Sequence, residues 1–138
     1  MCSHTRWRSF TAALVLACLS AGPVASQEQP PDYFVEAVAL LRVASHMAAQ
    51  CEDVQVDLDA DSGLRVGVYG LLDRDGWSID DPRLHSETTR DTVLALAESR
   101  YADLGLATPL QSAEVCPVAR AEAMAQSVLG RLFRVDGP

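Results

Sequence analysis

The chain has 138 residues, a formal net charge of −8, and no lysine among its 11 basic residues. This length fits one small domain, and the acidic balance argues against nucleic acid and anionic lipid surfaces as partners. The lack of lysine excludes Schiff-base and lysine-nucleophile chemistry.

The N-terminus predicts a secretory signal peptide over residues 1–26. Arg6 and Arg8 precede an apolar run over residues 10–21, after which small residues follow. This run is shorter than the roughly 18 residues that a membrane-spanning helix needs, so we expect no integral membrane span. We predict cleavage between Ser26 and Gln27, which makes the mature protein periplasmic or secreted.

An alternative places a lipid anchor at Cys18. The sequence "VLAC" resembles a lipoprotein box, in which the cysteine is acylated and becomes the first mature residue.

With cleavage after residue 26 instead, residues 27–31 form a disordered leader, 32–134 a single helical domain and 135–138 a tail. The mature net charge is then −10, because nine arginines and all 19 acidic residues remain.

Two cysteines, Cys51 and Cys116, lie in the predicted mature chain. An exported protein meets an oxidising compartment, so we predict one disulfide between them. A pair of reactive thiols is the alternative, but the Cys-x-x-Cys spacing typical of such pairs does not occur.

The first predicted helix follows Pro30 and Pro31, with Asp32 as its N-cap. Its apolar residues recur at three- and four-residue spacing, and they are Phe34, Val38, Leu41, Ala44, Ala48 and Cys51. The opposite face is polar and carries Glu36, Arg42, His46 and Gln50. The first cysteine is therefore expected near the end of this helix.

Residues 54–72 fit two interpretations. Alternating valines and three glycines favour a hairpin, because each glycine weakens a helix by about 1 kcal/mol relative to alanine. A helix capped by Asp61 is the alternative that we predict, because Gly76 and Trp77 are typical of a helix C-terminus with its hydrophobic contact.

Two further helices are predicted after Ser78, which can cap a short turn. The third begins near Ser86 and ends at Gly105. The last opens at Cys116 with Pro117 in its first turn, and its apolar pattern continues to about Phe133.

The acidic stretch "DLDADSG" places three aspartates at alternate positions, as a calcium loop does. From Asp57, however, the ninth position is Arg65 and the twelfth is Val68, where an EF-hand needs an oxygen ligand and a glutamate. We interpret these aspartates as solvated caps. His46 and His85 fit no catalytic or zinc spacing, so we expect no enzymatic activity, no metal and no cofactor.

Three features of the sequence resemble one bacterial family. They are the helix that ends in a cysteine, the glycine-tryptophan-serine turn at Gly76 to Ser78, and Cys116 followed by "ARAEAMAQSVLGRLFR". It is the family catalogued as domain of unknown function 5333 (DUF5333), and the resemblance covers about residues 33–134. The resemblance implies a secreted, all-helical protein with two mature cysteines. It implies no activity.

The sequence thus predicts an all-α fold, a small bundle of about four helices stapled by one disulfide. The predicted function is an exported binding or accessory module with a protein partner. An acid-stress holdase is the alternative, because protonation of many carboxylates near pH 3 to 4 would remove most of the negative charge. Calcium binding and hydrolysis rank below both. The candidate residues for contact with a partner are Trp77, Leu129, Leu132 and Phe133. For Trp77, directly after a helix-ending glycine, the preferred interpretation is that it covers the small core.

Overall fold

The computed structural model describes residues 29–136. The predicted signal peptide, its predicted cleavage after Ser26 and the alternative at Cys18 lie outside the described residues. Within these residues the chain forms four helices and two short strands, in the order α1 (Asp32–Ala48), β1 (Val54–Val56), α2 (Leu58–Arg74), α3 (Glu87–Asp103), α4 (Ser112–Ala125) and β2 (Phe133–Val135). A 3-10 turn, Gly130–Leu132, precedes β2. The predicted four-helix, largely all-α architecture is confirmed.

Helix α1 is the central element, because its buried residues spread over more than one face. Its N-terminal half packs with α2, Trp77 and the start of α3. Its C-terminal half packs with α4, the strands and the end of α3. The predicted polar face is exposed as expected. Pro31, and not Asp32, is the N-cap, and Asp32 is the first helical residue.

The predicted disulfide between Cys51 and Cys116 is present, with the two Cα atoms 5.5 Å apart. This separation lies within the range that disulfides span without backbone movement. Cys51 follows α1 by three residues, and Cys116 lies in the second turn of α4. The bond therefore fastens the end of the first helix to the last helix across a sequence separation of 65 residues.

Residues 54–72 are neither a hairpin nor one helix. Val54–Val56 form β1, and α2 starts at Leu58. The N-cap of α2 is Asp57 rather than the predicted Asp61, since the Asp57 carboxylate accepts hydrogen bonds from the backbone N–H groups of Asp59 and Ala60. The three glycines within α2 have open space around them, so the helix tolerates them on its exposed side.

The predicted ends of α2 and α3 are confirmed. Gly76 adopts a left-handed φ of 80°, and the N–H of Trp77 donates to the carbonyl of Leu72 at 2.8 Å. The end of α3 repeats this Schellman geometry, with the N–H of Leu106 donating to the carbonyl of Tyr101. The α3 N-cap is Ser86, whose hydroxyl accepts from the N–H of Thr89.

The prediction for the last helix is wrong at both ends. Helix α4 begins at Ser112, one turn before Cys116, so Pro117 lies inside the helix. It ends at Ala125, because Gln126 takes a left-handed conformation with a φ of 53°. The Ser127 hydroxyl then accepts from the N–H of Gly130 and helps to turn the chain back.

The segment predicted as the end of the last helix instead forms β2. Strand β2 pairs antiparallel with β1, with Val56 opposite Phe133 and Val54 opposite Val135. In this pairing, the backbone N–H and C=O groups of β2 form hydrogen bonds with a strand that lies nearly 80 residues earlier in the chain. A local helical pattern does not reveal such a distant partner. It also extends the folded region to Val135.

Candidate functional site

A cavity of about 620 Å³ opens between α1, α2, α3 and the connection that joins α2 to α3. We call it the arginine-rimmed cavity. Its lining residues are Phe34, Ala37, Val38, Leu41, Arg42, Arg65, Val68, Tyr69, Ile79, Leu84, His85, Thr89, Arg90, Val93 and Leu94. The volume lies within the range of about 300 to 1,000 Å³ that is typical of small-molecule sites.

The apolar floor of this cavity comes from helix faces that were predicted to pack in the core. Phe34, Val68 and Val93 are buried there. Larger apolar side chains remain partly exposed at the opening, with Ile79 at 38% and Leu94 at 40% exposure. Apolar side chains that line a cavity and remain in contact with water offer surface to which an apolar group can bind.

The rim of the cavity is cationic, although the protein as a whole is strongly acidic. Among the described residues no aspartate or glutamate lines this cavity, whereas Arg42, Arg65 and Arg90 do. Arg65 is engaged by Asp61, whose carboxylate accepts from the guanidinium at 2.7 Å and raises the pKa of Arg65. Within residues 29–136, no carboxylate forms an ion pair with Arg42 or Arg90.

The polar groups beside the rim are held in place by local hydrogen bonds. His85 Nε2 donates to the carbonyl of Ile79 at 2.8 Å, which fixes the ring against the connecting segment. The hydroxyl of the buried Thr89 donates to the carbonyl of Arg83 at 2.6 Å. These contacts order the connection that closes one side of the cavity.

A second cavity, of about 420 Å³, adjoins the first along α1 and α3. Arg42 and Leu94 line both cavities, and His46 and Tyr101 line the second. The Tyr101 hydroxyl is buried and has no hydrogen-bond partner among the described residues. Burial raises the pKa of Tyr101, and the nearby charge of Arg42 opposes this shift.

The four residues predicted to contact a partner lie in the interior of the described chain. Leu129, Leu132 and Phe133 are between 4% and 7% exposed, and Trp77 is 9% exposed. The guanidinium of Arg83 covers the Trp77 ring at 4.3 Å from its centroid, as a cation–π contact. In this fold these side chains contribute to the core.

The aspartates of the acidic stretch are used locally. Asp57 caps α2, and Asp61 pairs with Arg65 one turn further along the helix. Within the part of the chain that the structure describes, no three His, Cys, Asp or Glu side chains are grouped so that they could hold a metal ion.

The sequence patterns did not single out the arginine-rimmed cavity. Arg42 was assigned to the polar face of α1, and Arg90 was not assigned a role. A signal exists in retrospect for Arg42, which has no acidic residue three or four positions away on its helix. An arginine without such a partner in a highly acidic chain is available for other contacts.

The fold and the cavity define a disulfide-linked four-helix protein with an arginine-rimmed apolar cavity. No protein-family model, curated protein or solved structure matches the chain. The resemblance to the DUF5333 family therefore stays a prediction. Between residues 29 and 136, none of the helices has the length and apolar character that crossing a bilayer requires.

Proposed function

We propose that the protein is an exported binding or accessory module, without enzymatic activity, that works by holding a ligand or a partner's side chain in the arginine-rimmed cavity. The observation that carries the proposal is the cavity itself, which combines about 620 Å³ of space with an apolar floor and a few polar groups at its opening. Such a combination is the usual form of a ligand site.

The alternative is that the cavity is only a gap left by imperfect packing of the helices. This alternative agrees less well with the solvent exposure of the side chains that line the cavity. Protein interiors pack densely, and large voids within a core are costly. Here Tyr69, Ile79 and Leu94 line the cavity and are each more than a third exposed. Occupation by an apolar group would remove this surface from water at about 25 cal/mol per Å².

A fluorescence titration tests this proposal. The neutral apolar dye N-phenyl-1-naphthylamine is expected to bind with increased emission, and Val38→Trp, which fills part of the cavity, is expected to weaken binding about tenfold or more. Val66→Trp is the matched control, since Val66 is 65% exposed on α2 outside this cavity. Equal dye binding by both variants would contradict the cavity as the binding site.

Export is proposed from the N-terminal pattern and is tested separately. The protein expressed with its own N-terminus and recovered from the periplasmic fraction is expected to begin at Gln27. A lipid-bearing chain that begins at Cys18 would support the lipoprotein alternative, and an uncleaved cytoplasmic chain would contradict both.

The acid-stress holdase is a second candidate, favoured by exposed apolar side chains outside the arginine-rimmed cavity. Leu58, Met124 and Val128 are 75%, 79% and 60% exposed. Protonation of the carboxylates would remove the negative charge that keeps clients away. Suppression of client aggregation at pH 3 and not at pH 7 would support this function, whereas equal aggregation with and without the protein at pH 3 would exclude it.

A further inference from the structure

The charge around the arginine-rimmed cavity differs from the charge of the rest of the protein. The described residues contain nine arginines, and five of them form ion pairs with aspartates: Arg65, Arg74, Arg83, Arg120 and Arg134. Two of the remaining four, Arg42 and Arg90, lie on this one cavity. Two of the four arginines that form no ion pair among the described residues thus lie where the apolar surface is open.

These two arginines come from different helices, α1 and α3, which pack against each other. Both side chains are exposed and both line the cavity, so they lie at its opening and not on its floor. A guanidinium in this position can donate charge-assisted hydrogen bonds to a carboxylate while its stem covers apolar surface.

The negative net charge of the protein does not prevent an anion from binding here. At physiological ionic strength, exposed charges are screened over about 8 Å, so that distant carboxylates contribute little. Asp61, the carboxylate that contacts a lining arginine, is already engaged by Arg65. The charged side chains that line the cavity itself are Arg42, Arg65 and Arg90, with no carboxylate among the described lining residues.

We propose that the arginine-rimmed cavity binds a small anionic amphiphile, of the class of medium- and long-chain aliphatic carboxylates, with the chain on the apolar floor and the carboxylate at Arg42 and Arg90. This inference rests on the proposed function, because it names the ligand class of the same cavity. The floor can accommodate an aliphatic chain, since Val38, Leu41 and Val93 present branched apolar groups. Arg42 and Arg90 can each donate charge-assisted hydrogen bonds to a carboxylate at the opening.

The test compares three probes that share one chain and differ in the head group. Decanoate, decanol and decyltrimethylammonium are titrated against the full mature protein by displacement of N-phenyl-1-naphthylamine, below the concentrations at which they form micelles. Decanoate is expected to bind at least about tenfold more tightly than the other two, since a hydrogen bond to a charged group contributes roughly that factor. Raising the salt concentration is expected to weaken decanoate binding and leave decanol binding unchanged.

Arg42→Gln and Arg90→Gln test the assignment of the carboxylate. Each is expected to weaken decanoate binding about tenfold with little change for decanol. Arg131→Gln is the matched control, because Arg131 is also exposed and unpaired among the described residues but lies outside this cavity. Circular dichroism confirms that each variant is folded.

The outcomes separate the inference from the proposed function. If the three probes bind equally, or if Arg131→Gln weakens decanoate as much as Arg42→Gln, the ligand class is wrong while the cavity remains a binding site. If neither the dye nor any probe binds, the proposed function fails and the inference fails with it. Preferential decanoate binding that both cavity substitutions reduce supports the inference.

Discussion

Gly130 lies where the turn after α4 packs against the backbone of α4. A Cβ atom at this position would lie 1.8 Å from the carbonyl oxygen of Glu122 and 2.9 Å from the N atom of Ala123. Because both are backbone atoms, no side-chain rotation relieves the overlap. In Gly130→Ala the turn would have to move by about 1 Å to reach even the 3.0 Å that Cβ contacts require.

Such a movement affects several groups at once. The N–H of Gly130 donates to the Ser127 hydroxyl at 2.8 Å, and the flanking Leu129 and Leu132 are buried in the core that includes β2. Overpacking of a core costs about 1 to 3 kcal/mol. We expect the free energy of unfolding of Gly130→Ala to fall by about 3 kcal/mol, near the upper end of this range. A decrease of this size lowers the melting temperature of a domain of this length by about 12 °C or more.

Urea unfolding followed by far-ultraviolet circular dichroism measures this loss. Gly67→Ala is the control of opposite sign, because Gly67 lies inside α2 with no atom within 4 Å of an added Cβ. Replacement of a glycine by alanine within an exposed helix stabilises it by about 1 kcal/mol. A free energy of unfolding for Gly130→Ala within about 0.5 kcal/mol of the wild type would refute the close packing of this turn on α4.

Four further predictions concern the disulfide, a helix cap, an ion pair and a buried hydroxyl. Replacing Cys51 and Cys116 together by alanine is expected to lower the free energy of unfolding, measured in urea, by about 4 kcal/mol, because the disulfide closes a loop across a separation of 65 residues. A decrease of less than about 1 kcal/mol would contradict this expectation. Asp57→Ala removes the α2 cap and is expected to cost about 1 kcal/mol in the same assay, and no change would show that the cap contributes nothing. Hydrogen bonds from the neighbouring guanidinium and backbone N–H lower the pKa of Asp81 to about 2. The pKa of Asp81 in the folded protein lies below its value near 4 in the unfolded chain, so its contribution to stability is complete above pH 4 and is lost as the pH falls toward 2. The difference in free energy of unfolding between wild type and Asp81→Asn should therefore shrink between about pH 4 and pH 2. A difference that stays constant over this range would show that the ionisation of Asp81 does not contribute to stability. Tyr101→Phe removes a buried hydroxyl without a partner among the described residues and is expected to leave stability unchanged or raised, whereas a loss above 1 kcal/mol would indicate a hydrogen bond to that hydroxyl.

Local chemistry in the sequence was sufficient for much of the helical framework. The glycine that follows α2 and the glycine that follows α3 both marked helix ends, because a left-handed residue there lets the next N–H return to a carbonyl five residues earlier. Ser86 marked the start of α3 for a similarly local reason. The disulfide followed from the number of cysteines and the predicted compartment.

The errors occurred where distant segments decide the local conformation. Residues 54–56 and 133–135 are strands only because each is the hydrogen-bond partner of the other. Taken alone, the later segment continues the apolar pattern of α4, and the earlier one could join a helix or a hairpin. At the start of this pairing, Leu132 and Phe133 are buried in the core.

The sequence by itself determined that the fold is largely helical, the end of α2, both ends of α3, the pairing of Cys51 with Cys116 and the acidic character of the protein, because these depend on residues within a few positions or on composition. Only the tertiary structure decided the two-stranded sheet and the cavity. Its lining joins parts of α1, α2 and α3 that are up to 60 residues apart. The proximity of Arg42 and Arg90 to one apolar opening depends on how these helices pack, and helical periodicity along one chain segment carries no information about that packing.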